Sequence, residues 1–512
     1  MTLAIINTRA RLGLEAPPVT VEVHLSNGLP SLSIVGMAET AVKESKDRVR
    51  SAILNSHFEF PARRITVNLA PADLPKAGGQ FDLPIALGIL AASGQLPDAR
   101  FEQLEFMGEL ALNGNLRAVP GCLPAAIACG RVGHGLCCPA DNATEAALSG
   151  ETEIFAADSL LAVTAHLIGA QALQPHTGEV YAQPAAASLA GQPDLSEIKG
   201  QAQAKRALEI AAAGNHHILL YGPPGTGKSM LAARLPGLLP ALSKAAAVEV
   251  ACMHSLTRRQ PLNRYPQRPY ANPHHTASAV ALVGGGSNPQ PGEISLAHNG
   301  VLFLDELPEF QRSVLEVLRE PLESGFIRIS RAAAQVEYPA RFLLVAAMNP
   351  CPCGYLGQPQ SRSGKCCSCS PDQVRRYRNK ISGPLLDRID LQVPVLALKQ
   401  GELFNASSAE GSAAVRERVA LARELQQQRQ QCNNGQLDNR QLAQCHPLSK
   451  SQQQLMEHAM LNLGFSARAL HRTHKVARTI ADLAGASEIG DQHLLEAFSY
   501  RNFDRDQTDP AL

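Results

Sequence analysis

The fold of this 512-residue chain is decided by the stretch Tyr221-Gly222-Pro223-Pro224-Gly225-Thr226-Gly227-Lys228-Ser229. It fits G-x-x-x-x-G-K-[ST], the pattern of a phosphate-binding P-loop. The apolar run 217–221 before it predicts a short buried strand, and residues 230–235 after it predict a helix. Glycines let backbone N–H groups approach phosphates, and the helix N-terminus adds a positive end. We therefore expect a site for ATP, with Lys228 on the β- and γ-phosphates and Ser229 on Mg²⁺.

Two further apolar runs end in polar residues of the kind that such a site needs. Residues 301–304 predict a buried strand that ends in Asp305 and Glu306. There Asp305 would organise Mg²⁺ and Glu306 would activate the attacking water. Residues 342–348 predict another buried strand, which ends at the amide of Asn349. Taken singly, the run that ends in Asp305 and Glu306 would be a core strand with solvated acids, and the P-loop would be a chance glycine loop. The linked set of motifs favours a nucleotide site instead.

Composition limits the kinds of partner that the chain can have. A length of 512 residues predicts roughly two to four domains. The formal net charge of +1 gives no bulk attraction to nucleic acid, so any such contact must come from local patches. Trp is absent and aromatic residues make up 4%, which argues against a wide stacking platform. Neither a secretory signal nor an apolar run of membrane-spanning length is recognisable, so we expect a cytoplasmic protein without a membrane partner.

The linked motifs resemble those of AAA+ ATPases. By that resemblance Asn349 matches the sensor-1 residue, which holds the attacking water and the γ-phosphate. Arg468, just after the predicted N-cap Ser466, matches sensor 2, which reaches from a helical lid to the nucleotide. Arg388 matches the arginine finger that ring ATPases insert into a neighbouring subunit's site, where a guanidinium suits transition-state charge. The alternative for Arg388 is an Arg–Asp salt bridge within one subunit.

Two insertions in the ATPase segment are candidates for DNA contact. The segment between Lys228 and Asp305 is longer than one helix and one strand require, and residues 326–338 predict a β-hairpin with Arg331 near its tip. Both resemble the helix-2 insert and pre-sensor-1 hairpin of the AAA+ clade that contains Mg-chelatases and MCM helicases, where they can project into a ring channel. A basic stretch at 374–380 either grips phosphates or forms a solvated face. The candidate residues are Arg258, Arg259, Arg328, Arg331, Arg375, Arg376, Arg378 and Lys380.

Cysteines crowd directly after Asn349. Five of the twelve lie between positions 351 and 369, and in a reducing compartment that favours metal over disulfides. The pattern C-x-C…C-C-x-C supplies four thiolates for tetrahedral Zn²⁺ from Cys351, Cys353, Cys367 and Cys369, with Cys366 spare. The alternative is a loop of reduced thiols.

The segment before the ATPase predicts an α+β domain. Alternating strands are expected near 19–25, 31–35 and 64–69, with helices over 38–56 and 81–92. Residues 71–84 resemble the domain of Lon proteases and their inactive relatives, where a Ser in a glycine-bearing turn is the nucleophile and a Lys is the base. Here Gly79, Gln80 and Phe81 occupy that turn, and Lys76 alone cannot replace the missing hydroxyl. We therefore predict a scaffold or a DNA-contact platform.

The whole order resembles the ComM/YifB family of Mg-chelatase-like AAA+ proteins. The fold class implied is multidomain α/β, with a Lon-protease-like domain (1–170), a linker (171–193), an AAA+ core with channel inserts (194–400), a helical lid (401–503) and a tail (504–512). The family implies a hexameric ring that uses ATP and Mg²⁺ to move single-stranded and branched DNA, with recombination proteins as partners. It is associated with branch migration in natural transformation. The alternatives are an Mg-chelatase-like ATPase subunit that remodels a protein partner, and a Lon-like module.

Overall fold

The structure, a computed structural model, describes most of the chain. The described residues are 3–36, 42, 44–97, 101–150, 152–176, 191–257, 265–286, 289–330, 335–357, 366–397, 410–463 and 465–501. Three of the residues expected to contact DNA, Arg258, Arg259 and Arg331, lie outside these ranges. So do most of the predicted linker and the whole predicted tail.

A four-stranded sheet opens the described chain. On its second strand Val19, Val21 and Val23 are buried while the residues between them are partly exposed, because successive strand residues face opposite sides. The helix over 82–92 is buried along its whole length and packs on the first two strands. The elements are β1 (Leu3–Arg9), β2 (Pro18–Ser26), β3 (Ser31–Val35), α1 (Ser45–Asn55), β4 (Arg64–Ala70) and α2 (Asp82–Ala92), with strand order β1-β2-β4-β3.

A second, smaller sheet completes the N-terminal region. Three short strands pair in parallel, and helices rich in Ala and Cys pack beside them. The elements are β5 (Leu104–Phe106), β6 (Glu109–Leu110), β7 (Leu116–Arg117), α3 (Cys122–Arg131), β8 (Gly135–Pro139), α4 (Ala140–Ala146), β9 (Ile154–Ala157) and α5 (Leu160–Leu167).

The central sheet carries the P-loop. Five of the described strands pair in parallel in the order β11-β14-β17-β10-β18, so the carboxyl ends of all five meet at one edge. The P-loop strand β10 lies between β17 and β18, where the strand order reverses and open α/β sheets bind ligands. The elements are α6 (Ala202–Gly214), β10 (Ile218–Tyr221), α7 (Lys228–Leu238), β11 (Tyr270–Ala271), β14 (Val301–Leu304), β17 (Leu343–Met348) and β18 (Leu391–Pro394).

The inserted segments form hairpins and short helices beside this sheet. The predicted hairpin is confirmed as β15 (Phe326–Ser330) paired with β16 (Gln335–Pro339). Ile327, Ile329, Val336 and Tyr338 form its buried face. The other elements are α8 (Lys244–Thr257), α9 (Ala279–Val283), β12 (Gly284–Gly285), β13 (Gln290–Pro291), α10 (Glu293–Leu296), α11 (Arg312–Glu316), α12 (Arg319–Ser324), α13 (Pro371–Arg378) and α14 (Gly383–Leu386).

The C-terminal helices share a hydrophobic core with one face of the central sheet. Val419 and Ala477 lie in the same buried cluster as Leu220 of the P-loop strand and Leu235 of α7. None of the described helices is both long enough and apolar enough to cross a bilayer. The elements are α15 (Ser412–Gln430), α16 (Asn439–Cys445), α17 (Lys450–Leu463), α18 (Ala467–Leu483) and α19 (Asp491–Ser499).

Candidate nucleotide-binding site

The P-loop joins the carboxyl end of β10 to the first residue of α7, as its sequence predicts. Gly225 and Gly227 have left-handed φ values of 78° and 90°, a conformation that glycine adopts without strain. Gly222 is required for another reason, since a Cβ there would lie 2.1 Å from the carbonyl oxygen of Val395. The loop therefore folds back tightly over the sheet edge, with its backbone facing a cleft of about 360 Å³.

Lys228 connects the P-loop to the residue that follows β17. Its ammonium donates hydrogen bonds to the carbonyl oxygens of Gly222 (2.7 Å) and Pro223 (2.8 Å) and to Oδ1 of Asn349 (3.1 Å). Burial lowers the pKa of Lys228, while the nearby charges of Asp305 and Glu306 act in the opposite direction. The sheet thus brings together the cation and the amide that the sequence predicts at this edge.

The predicted magnesium residues also meet in this cleft. Ser229 Oγ donates to Oδ2 of Asp305 at 2.7 Å, and the other oxygen of Asp305 accepts from the backbone N–H of Glu306 at 2.9 Å. A hydroxyl and a carboxylate at this spacing are oxygen ligands of the type that Mg²⁺ takes beside nucleotide phosphates. The donor set therefore fits Mg²⁺, and it lies beside the phosphate-binding loop.

A histidine that sequence analysis assigned no role contacts Glu306. His275 Nδ1 lies 3.2 Å from Oε2 of Glu306, and the ring of His274 packs on that of His275 with centroids 4.2 Å apart. Both histidines follow the edge strand β11, whose carboxyl end lies at the same sheet edge as that of β14. The usable sequence signal was a polar pair at the end of a strand, but β11 has only two residues and carries no periodicity.

Arg388 and Arg468 lie together in a second cleft, of about 160 Å³, away from the P-loop cleft. Three arginines and one lysine line this cleft, together with two acidic residues. The sequence-based expectation that Arg468 reaches the nucleotide from the lid is therefore not met within one chain, because Arg468 lines the cleft of Arg388 instead. The lining residues are Glu323, Asp387, Arg388, Asn439, Arg468, His471, Arg472 and Lys475.

Strand direction explains this separation. Arg388 precedes β18, whereas the P-loop follows β10, and the two strands are parallel neighbours. Arg388 therefore lies at the amino edge of the sheet and the P-loop at the carboxyl edge, one strand length of about 13 Å apart. No movement of a side chain alone brings Arg388 to its own P-loop.

Arg388 is held by partners within the subunit. It is 5% exposed, pairs with Glu323 through Nη2, and donates from Nη1 to the carbonyl oxygen of Pro384 at 2.5 Å. Its Nε finds no hydrogen-bond acceptor among the described residues. The predicted alternative of an intrasubunit salt bridge is thus present, but with a glutamate from α12 rather than with an aspartate.

Most of the described DNA candidates are engaged in contacts within the chain. Arg328 pairs with Glu337 across the hairpin at 2.9 Å, Arg375 with Asp372 at 2.7 Å, and Lys380 with Glu309 at 3.3 Å. Arg378 donates to the carbonyl oxygen of Pro350 at 3.3 Å. The side chain of Arg376 is exposed on α13. These exposed ion pairs are weak, so a phosphate could displace them.

The four predicted thiols converge. The Sγ atoms of Cys351, Cys353, Cys367 and Cys369 all lie within 4.8 Å of one another, and no other metal-ligating group of this kind was found among the described residues. Cys366 is exposed and outside the group, as the spacing predicts. The ligand set is that of a closed tetrahedral zinc site.

Comparison with known proteins covers nearly the whole chain. A family model described as magnesium chelatase, subunit ChlI, matches residues 194–403. A model described as subunit ChlI of Mg-chelatase matches residues 21–142, and one described as magnesium chelatase, subunit ChlI C-terminal, matches residues 409–501. The P-loop, the two acids, the four thiols and Arg388 all lie in the first of these segments.

Full-length relatives are more similar. The chain is 51% identical over 507 residues to a protein of Salmonella typhimurium named uncharacterized protein YifB, across 99% of this chain and 98% of that one. It is 51% identical over 505 residues to competence protein ComM of Haemophilus influenzae, across 98% of each chain. The magnesium-chelatase 38 kDa subunit of Cereibacter sphaeroides is 28% identical over 177 residues, or 30% of this chain and 52% of that one.

A parallel sheet with a P-loop at its carboxyl edge, set among Mg-chelatase domains, defines a multidomain α/β protein of the AAA+-like ATPase class. Within that class the chain belongs to the ComM/YifB family of Mg-chelatase-like proteins, since both full-length relatives match it nearly end to end. The family predicted from the order of motifs is confirmed.

Proposed function

We propose that this chain is the subunit of a hexameric ring that hydrolyses ATP to move DNA and promotes branch migration during recombination and natural transformation. One observation carries the proposal. The nucleotide cleft holds Lys228, Asp305, Glu306 and Asn349 at one edge of the sheet, while Arg388 and Arg468 lie at the other. A head-to-tail ring apposes these two half-sites, so each interface forms one complete ATPase site.

The chemical roles follow from charge and position. Lys228 and the P-loop amides hold the phosphates, and Ser229 and Asp305 hold Mg²⁺, which neutralises the charge that develops on the phosphates. Glu306 accepts a proton from the attacking water, which Asn349 orients. Arg388 and Arg468 of the neighbouring subunit then stabilise the transition state. Release of Arg388 from Glu323 accompanies its entry into the neighbour's cleft.

DNA is the proposed substrate, in single-stranded and branched forms. The name of the Haemophilus relative associates a protein 51% identical to this chain with competence. Local patches must supply the contacts, because the whole chain carries a formal charge of only +1. The hairpin β15–β16, Arg376 on α13, and Arg258, Arg259 and Arg331 are the proposed contacts, lining the ring channel. Recombination proteins are proposed partners.

The remaining parts of the proposal concern domains and setting. Residues 1–170 form a Lon-protease-like scaffold without a catalytic Ser, 171–193 a linker, 194–400 the AAA+ core, 401–503 a helical lid and 504–512 a tail. Lys76 in the scaffold is buried and donates to the carbonyl oxygen of Pro71. ATP, Mg²⁺ and Zn²⁺ are the cofactors. We place the protein in the cytoplasm, where DNA and ATP are both available.

A second candidate is an ATPase subunit that remodels a protein partner. The similarity to the magnesium-chelatase 38 kDa subunit favours it, but that similarity covers only 30% of this chain. DNA distinguishes the two candidates, because only the DNA motor predicts ATP turnover that depends on nucleic acid.

The test is ATP hydrolysis measured alone and with single strands, duplex and branched junctions of equal nucleotide content. We expect single strands and junctions to stimulate turnover more than duplex does, and the stimulation to fall with salt. Turnover that no DNA stimulates, together with capture of a porphyrin-binding protein partner, would support the second candidate instead.

A further inference from the structure

We propose that Zn²⁺ held by Cys351, Cys353, Cys367 and Cys369 braces the nucleotide cleft, so that ATP binding depends on the metal. This inference rests on the proposed nucleotide site and adds to it a metal site with a defined task. The four cysteines act as positioning residues: they touch neither the nucleotide nor the water, and they act through Asn349 and the P-loop.

The sulfur geometry fits zinc. Zinc–sulfur bonds of about 2.3 Å in a tetrahedron place the sulfurs about 3.8 Å apart. The observed Sγ–Sγ distances are 3.3 Å for Cys351–Cys353, 3.7 Å for Cys351–Cys367 and 3.6 Å for Cys353–Cys367. Cys369 lies within 4.8 Å of all three. These separations exceed a disulfide bond of about 2.05 Å and match a shared metal.

The segment that carries the thiols has little else to hold it. The described residues between 349 and 370 form neither a helix nor a strand, and none of those from 355 onward is buried. Apolar burial therefore contributes little to its order. In such a segment the free energy of metal binding supplies the free energy of folding.

The same segment is joined to the nucleotide cleft at three points. Cys351 is fully buried and follows Asn349 by two residues. A metal that holds the Cys351 thiolate in place therefore also restrains the backbone at Asn349. Gly354, which donates its N–H to the carbonyl oxygen of Cys351 at 3.0 Å, lies against the P-loop. A Cβ on Gly354 would come 2.7 Å from Cδ of Pro224 and 3.8 Å from Cγ of Asn349.

Helix α13, which follows the cysteine segment, packs beside the end of β17, where that segment begins. Tyr377 of α13 is buried in the same cluster as Met348, the last residue of β17, and Arg378 donates to the carbonyl oxygen of Pro350. The segment thus leaves and rejoins the core beside Asn349, and the four thiols lie together where its two ends meet. A metal bound there sets the positions of Asn349 and Pro224. Asn349 in turn accepts a hydrogen bond from Lys228 at 3.1 Å.

Neighbouring cysteines supply a matched pair of variants for the test. Cys367→Ser removes a ligand, whereas Cys366→Ser changes an exposed thiol outside the group. We measure zinc content, affinity for a fluorescent ATP analogue, and hydrogen exchange over residues 343–357 in full-length protein purified without added zinc. We expect about one Zn²⁺ per chain in the wild type and in Cys366→Ser. Cys367→Ser loses the metal, binds the analogue at least about tenfold more weakly, and exchanges faster over 343–357.

Two further experiments test the proposal even if Cys367→Ser does not fold. Cys367→His restores a zinc ligand and should recover both metal and affinity. Chelation of the wild type should weaken binding, and added Zn²⁺ should restore it. If purified wild type contains no zinc and its four thiols react freely, the proposed metal site is wrong. If a variant loses zinc but binds the ATP analogue with unchanged affinity, the metal does not support the nucleotide cleft. Failure of zinc-loaded wild type to bind the analogue would instead refute the proposed nucleotide site.

Discussion

At the residue scale, Lys228 and Glu306 face the same cleft and are proposed to have different tasks. Lys228→Ala removes the cation proposed to hold the phosphates, so we expect it to weaken ATP binding. Glu306→Gln keeps the shape of the side chain and removes the proposed base, so it should bind ATP and lower turnover by about 10²–10⁴-fold. Nucleotide affinity and single-turnover hydrolysis measure the two effects separately.

Glu309→Gln is the matched control for that variant. Glu309 lies three residues further on, pairs with Lys380, and is not among the residues that line the cleft. It should leave turnover near that of the wild type. Near-normal hydrolysis by Glu306→Gln would mean that another group activates the water.

His275 offers a second prediction at this scale. Its Nδ1 lies 3.2 Å from Oε2 of Glu306, and the side chains of His275 and Glu306 are 32% and 54% exposed. A histidine–carboxylate contact at so open a site is worth at most about 1 kcal/mol, or about fivefold in rate. His275→Ala should therefore lower kcat about fivefold with ATP affinity unchanged, and His275→Asn should recover part of the loss. Unchanged or raised kcat in His275→Ala would show that the contact does not position the base.

The chemical role of each of these residues was easier to predict from the sequence than which of them lie together in the structure. The P-loop, the paired acids and Asn349 each end an apolar run, so one parallel sheet suffices to bring them together. Arg468 does not line the nucleotide cleft of its own chain, and a side chain on a helix gives no sign of which sheet edge the helix packs against. The signal for His275, a polar pair after a strand, went unused because a strand of two residues shows no periodicity.

At the element scale, a turn of the N-terminal region touches the hairpin β15–β16. Leu12 and Glu15 close the turn with two backbone hydrogen bonds of 3.0 Å each. Gly13 at its tip has φ 61°, and a Cβ there would lie 2.4 Å from Cγ1 of Val336. The N-terminal region is therefore in direct contact with the element proposed to meet DNA.

This contact yields a prediction with a close control. Gly13→Ala should displace the hairpin and reduce DNA-stimulated ATPase activity at least about twofold, with basal turnover kept. Adding Val336→Ala to this variant removes the side chain that the new Cβ meets, so it should restore the stimulation. Gly133→Ala carries the same left-handed strain of about 1 kcal/mol but meets nothing within 4 Å. The ratio of stimulated to basal turnover is the measurement. Equal effects of the two glycine variants would show that only strain matters.

Elements with clear periodicity were predicted well. The strand at 31–35 and the buried helix ending at residue 92 are confirmed within a residue or so. Of the helix expected over 38–56, α1 is described from Ser45 to Asn55, and residues 38–41 and 43 lie outside the described part of the chain. Leu54, expected on its buried face, is 49% exposed. The sheet of β5, β8 and β9 was missed because its strands have only three to five residues, and β8 and β9 include Cys, Gly and Ala rather than β-branched residues alone.

At the scale of the whole molecule, the two separated half-sites predict cooperation between subunits. Arg388→Ala should spare ATP binding and lower turnover about 10³-fold or more, the contribution of an arginine supplied in trans. Mixed with Lys228→Ala subunits, it should regain activity, because some interfaces then join an intact P-loop to an intact arginine. The measurement is turnover across mixing ratios in rings assembled with ATP and DNA.

A crosslink is the control for that experiment, since strict coordination around a ring also suppresses rescue. A cysteine placed at Arg388 should crosslink to one placed in the P-loop of another chain. Crosslinks formed only within single chains would refute the trans assignment of Arg388 and remove the main structural reason for a ring.

The most direct test of the central claim is displacement of a labelled strand from a synthetic branched DNA junction. With ATP and Mg²⁺, the wild type should move the branch point and release the strand, whereas Lys228→Ala, Glu306→Gln and Arg388→Ala should not. Salt-sensitive DNA binding should persist in Glu306→Gln, because only the chemical step is lost. Full ATP hydrolysis by the wild type on the same junctions without any strand release would contradict the account.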